Sequence, residues 1–80
     1  MKEVEYEKLS MFYKMLSDNT RLRILDILLE ESLCVNDICT KLNMSQSAIS
    51  HQLINLRKAN LVKTNKIGKN VYYSISDKHA

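Results

Sequence analysis

Gln46, Ser47, Ser50 and His51 stand close together in the stretch Ser45-Gln-Ser-Ala-Ile-Ser-His-Gln-Leu53. Each carries a compact group that can exchange hydrogen bonds, and none is a carboxylate. A surface helix with nothing to read is ordinarily dressed in Glu and Lys. Here the surround is basic instead. From Ile38 to Ser76 the chain has no Asp or Glu, yet it carries Lys41, Arg57, Lys58, Lys63, Lys66 and Lys69. Such a combination suits a surface that approaches a polyanion closely and touches base edges. Gln pairs bidentately with adenine, and Ser donates to or accepts from any base. The competing reading is a solvated basic surface, with Ser47 and Ser50 merely hydrated.

The rest of the composition agrees with a polyanion partner. The net charge of +3 is modest but unevenly spread. Residues 1–40 carry five Lys or Arg against eight Asp or Glu, whereas residues 41–80 carry seven against one. Charge asymmetry of this kind points the second half towards nucleic acid. Eighty residues make one domain, 1–80, with a thin core that association with a second copy would help. The N-terminus is charged and lacks an apolar h-region, and no apolar run approaches the length of a membrane span. A cytoplasmic protein with two reduced thiols is expected. Cys34 and Cys39 are poorly placed to pair, since on one helix they point about 140° apart. No glycine-rich phosphate loop, clustered carboxylates or oriented Cys/His pair is visible, so an enzyme is not expected.

Those reading and charged groups need elements to hold them. Leu9, Phe12, Tyr13 and Leu16 recur at i, i+3, i+4 and i+7, predicting a first helix over about 5–17. Met11 and Met15 form a second stripe on it, either extra core or a subunit contact. Ser17-Asp18 gives a capping signal for a second helix from about Asn19 to Glu31, apolar nearly all round and therefore central. Val35, Ile38 and Leu42 predict a third, with Cys34 at its N-cap, Asp37 three residues on and Asn43 as a left-handed C-cap. Ser45 then caps a fourth, whose buried stripe is Ile49, Leu53 and Leu56. The helix-turn-helix spans about 35–59. After Ala59-Asn60 the apolar period changes to two, and a hairpin with a Gly68-containing turn is predicted over about 61–76. The expected fold is mainly α: a winged helix-turn-helix of four helices, a two-stranded wing and the start of a further helix at Asp77.

Five segments carry a family resemblance over roughly residues 9–79. They are Leu16-Ser-Asp-Asn-Thr-Arg-Leu-Arg-Ile-Leu25, Leu33-Cys-Val-Asn-Asp-Ile38, Ser45 to Leu53, Leu56-Arg-Lys-Ala-Asn-Leu-Val62 and Gly68-Lys-Asn-Val-Tyr-Tyr-Ser-Ile75. In register, they resemble the ArsR/SmtB winged-helix repressors, many of which sense metals. The resemblance implies a homodimer that binds double-stranded DNA at an inverted-repeat operator and is released by an effector. It makes Gln46, Ser47, Ser50 and His51 the base-reading set, with His51 alternatively packed beneath the wing. Arg57, Lys58, Lys63, Lys66 and Lys69 become phosphate or wing contacts, each individually as well read as plain surface. No Arg stands in the first turn of the fourth helix to grip guanine, so readout weighted towards A·T and DNA shape is expected.

For the effector, the resemblance offers two candidate metal sites, and both are incomplete. Some relatives carry Leu-Cys-Val-Cys-Asp on the third helix, with two thiolates for soft metals. Cys34 matches the first thiol, but Asn36 replaces the second. Cys39 faces elsewhere and reads as a small buried hydrophobe. The other family site begins with Asp-x-His, matched by Asp77-Lys-His79, a half site for zinc or another transition metal. The helix that would complete it lies beyond these residues, so either the natural chain continues or a minimal member dimerises through its first helix. Two further alternatives stand: a regulator without an effector, or with a thiol switch at Cys34 or Cys39, and a winged-helix module that binds protein.

Overall fold

The computed structural model describes the backbone of residues 3–77 and the side chains of residues 5–77. Helix α1 (Glu3–Leu28) runs without a break through the place where two helices were expected to meet. A capping residue ends a helix only when the backbone leaves helical geometry, and nothing forces that here. There is no Gly or Pro between Ser17 and Thr20. Ser, Asp, Asn and Thr inside a helix each cost at most about 0.7 kcal/mol relative to Ala. Thr20 Oγ1 donates back to the Leu16 carbonyl at 2.9 Å, within the helix. Asp18 and Arg21 face each other one turn apart at 3.9 Å. The described helices therefore number three, not four.

A two-residue strand, β1 (Leu33–Cys34), leads into α2 (Val35–Leu42). Asn43 ends α2 in the left-handed region at φ 54°, and the Met44 N–H donates to the Cys39 carbonyl at 3.1 Å. Ser45 is extended, and its Oγ accepts from the Ala48 N–H at 3.2 Å to start α3 (Gln46–Lys58). Cap and turn together place α3 across α2. Beyond α3, Asn60 takes φ 60° and the Leu61 N–H donates to the Leu56 carbonyl at 3.0 Å, which releases the chain into the wing.

The wing is β2 (Val62–Ile67) paired antiparallel with β3 (Asn70–Ile75), from Val62↔Ile75 to Ile67↔Asn70. Gly68 stands first in the two-residue turn at φ 63°, where a tight hairpin favours glycine. The sheet has three strands rather than two. β1 pairs with the other edge of β3, through Leu33↔Tyr73 and Cys34↔Tyr72, so the order is β1-β3-β2. The wing is thus stitched to the start of α2. The further helix expected at Asp77 lies almost wholly outside the described residues.

Ile24, Leu28, Leu33, Ile38, Leu42, Ile49, Leu53, Leu56 and Val62 form the core, with contributions from each helix and from β1 and β2. Only the C-terminal part of α1 takes part. From Glu5 to Asn19 every side chain is exposed except half-buried Ser17. A helix of 26 residues is about 39 Å long. It accounts for most of the 49 Å long axis of a molecule only 26 and 18 Å across otherwise. No described helix is long and apolar enough to cross a membrane.

Candidate nucleic-acid interface

One side of α3 is committed to the core by Ile49, Gln52, Leu53 and Leu56, all buried. At 100° per residue, Ser47, His51, Ile54 and Lys58 then fall in a sector of about 60° on the opposite side. All four are exposed. Gln46 is exposed at the helix start, and Ser50 is half-buried at the flank. Ser47 Oγ lies 3.3 Å from Ser45 Oγ, so the cap and the first outward hydroxyl share one network. His51 also borders a shallow apolar groove with Leu16, Met44 and Ala48, between α1 and α3.

The cations frame this face. Arg57 and Lys58 are exposed in the last turn of α3, and Lys66 and Lys69 on the wing. Lys63 stands differently: its Nζ is 2.8 Å from Asp77 Oδ2. Both side chains are more than half exposed, at 53% and 87%, so the pair contributes at most about 1 kcal/mol and opens readily. Sequence reading missed this pair because it depends on the hairpin register. It also left Ile54 out of both the buried stripe and the outward set, although the same helical projection would have placed it beside Ser47 and His51.

The candidate metal ligands do not gather. Cys34 occupies the N-cap of α2 as expected, yet its side chain makes no capping bond to the helix. Instead its Sγ donates to Asp37 Oδ2 at 3.2 Å. Cys39 is half-buried against the core. Asp77 is engaged by Lys63, and His79 lies outside the described residues. Among the described residues no three of His, Cys, Asp or Glu come together. Zinc takes four ligands in a structural site, or three plus a water in a catalytic one. Cys34 with Asp37 offers two, so the described residues alone do not fit such a metal.

The chain thus presents a helix-turn-helix with a basic wing and a polar outward face. The sequence profile of the bacterial regulatory proteins of the arsR family matches residues 18–64, more than half of the chain.

The chain belongs to the arsR family.

A transcriptional repressor SmtB homolog of Synechocystis is 42% identical over 73 residues, which cover 91% of this chain and 55% of that protein. The arsR-family chain thus spans little more than half the length of that relative. Among solved structures, the transcriptional regulator HlyU from Vibrio vulnificus superposes with a TM-score of 0.73 at 36% identity, covering 96% of this chain and 80% of that one. A homodimeric winged helix-turn-helix DNA-binding domain from Mycobacterium bovis gives a TM-score of 0.73 at 27% identity, covering 99% and 76%. The winged helix-turn-helix is therefore the fold, and the relatives are regulators, not enzymes.

Proposed function

We propose that this chain is a transcriptional repressor acting in the cytoplasm as a homodimer, with α3 in the major groove of an inverted-repeat operator. The observation that carries the reading is the outward face of α3. It bears Ser47, His51 and Lys58 opposite a fully committed core stripe, in a segment free of acids from Ile38 to Ser76. Gln46, Ser47, Ser50 and His51 read bases. Arg57, Lys58, Lys66 and Lys69 hold phosphates, joined by Lys63 once Asp77 lets it go. The M. bovis neighbour supports the homodimer, as does the apolar arm of α1. Two α3 helices would then sit about 34–36 Å apart in successive major grooves.

The test is fluorescence anisotropy with an inverted-repeat duplex from upstream of the gene, against a scrambled duplex, at two salt concentrations. A preference of about a hundredfold or more, falling steeply with salt, is expected. Equal and weak binding to both duplexes would refute the proposal.

The two kinds of contact separate by mutation. Ser47→Ala or His51→Ala should relax discrimination at individual base pairs by about 1–3 kcal/mol. Lys69→Ala should weaken all sequences alike and reduce the salt slope by about one. A binding-site selection with each variant reads both effects. An unchanged base preference in both α3 variants would remove them from the reading set.

A further inference from the structure

Ile54 is a large aliphatic side chain placed where the fold has no use for one. It is 54% exposed on the face of α3 turned away from the core. It follows His51 by three residues and precedes Lys58 by four, so the three line up along one side of the helix. On this outward side Ile54 is the one exposed large apolar group among the described residues, the others lying on α1, at Leu29 just after it, or on the wing. The shallow hollow beside it, towards the wing, is lined by Leu53, Arg57 and Lys58 of α3 and by Tyr73 of β3. Two of these are cations and none is acidic, so the surroundings favour a polyanion over another apolar protein surface.

Major-groove edges are polar with one exception, the C5-methyl group of thymine. We infer that Ile54 reads a thymine methyl, a specificity contact distinct from the hydrogen-bonding set of Gln46, Ser47, Ser50 and His51. The inference rests on the proposed DNA-reading role of α3. Its chemistry is complementary to that role. Ser and Gln read the hydrogen-bonding edge of an A·T pair, while an aliphatic contact distinguishes thymine from cytosine and sets which strand carries it. Ile54 lies about 4.5 Å further along the helix axis than His51, so its thymine is displaced from the bases met in the first turn.

Replacing thymine by uracil removes the methyl and leaves every hydrogen-bonding group in place. The experiment measures binding of the full chain, as wild type, Ile54→Ala and Ser47→Ala, to operator duplexes carrying single thymine-to-uracil changes. One thymine position should show a loss of about fourfold in the wild type, the value of one buried methyl-sized group. Ile54→Ala should bind the unmodified operator weaker by at least the same factor and be indifferent to uracil at that position, whereas Ser47→Ala should keep the sensitivity. Thermal unfolding of Ile54→Ala should match the wild type, which excludes a folding defect. If Ile54→Ala keeps every uracil sensitivity of the wild type, or the wild type prefers its operator and shows none, the inference is overturned while DNA reading stands. If the wild type shows no operator preference at all, both fall together.

Discussion

Leu53→Ala should lower the thermal midpoint of this protein by roughly 10–30 °C, from a loss of about 2–5 kcal/mol. Leu53 is 1% exposed at the centre of α3, where the helix meets the rest of the core. Its removal leaves a cavity lined by residues from several elements, and a small domain has little capacity to collapse around it. Total stability of a domain is of the order of 5–15 kcal/mol, so this one truncation takes a large part of it. The adjacent residue makes the control. Ile54 points the other way and is 54% exposed, so Ile54→Ala should change stability by less than about 0.5 kcal/mol. Differential scanning calorimetry of the two variants checks the orientation of α3 directly. Equal midpoints would mean that α3 is rotated, and the assignment of its outward face would go with it.

The parts of the fold that were legible in the sequence are those fixed locally. Asn43 and Ser45 announce the turn because a left-handed residue and a hydroxyl cap act within a few residues of themselves, and both do so here. Ile49, Leu53 and Leu56 announce the buried side of α3 through their spacing alone, and Gly68 marks the hairpin. What was not legible depends on distance or on competition. Ser17-Asp18 looks like a helix start, but a cap needs a break to cap, and the helix continues through it. β1 is two residues long, too short for any alternation, and exists only because β3 offers it an edge. The Lys63–Asp77 pair spans the hairpin and follows from register, not from spacing. Cys34 shows the subtler failure. Its position at the N-cap was legible, yet its thiol donates to Asp37 instead of accepting from the backbone, because sulfur is a weak acceptor beside a nearby carboxylate. Of the candidate site, the outward face of α3 follows from one helical projection. That the soft-metal site lacks its second thiol was legible at Asn36, whereas the pairing of Cys34 with Asp37, with no third ligand among the described residues, follows only from which groups meet.

The other large effect concerns the arm of α1, and its expected outcome is loss of the dimer. Leu9, Phe12, Tyr13 and Leu16 continue the side of α1 that packs on the core, but they project beyond the body and are 38–63% exposed. Met11, Met15, Leu22 and Leu29 fall in the adjoining sector, with Met15 one turn from Phe12, and are 66–71% exposed. A helix apolar over so wide a sector is stable in water only when neighbours cover it. In the proposed dimer a second copy supplies them, and Met there adapts to the facing surface. Phe12→Glu combined with Met15→Glu puts two charges one turn apart on the apolar surface of the arm while keeping residues that form helix well. Sedimentation equilibrium should then report the 9.3 kDa of one chain where the wild type reports twice that mass. Operator affinity should fall by about 10²–10⁴-fold, because a monomer engages one half-site and forfeits the tethered second contact. The body of the domain, whose core begins at Thr20 and Ile24, should still unfold cooperatively. A double variant that remains dimeric and keeps full operator affinity would show that the arm is not the contact, and the homodimer would have to be built from another face.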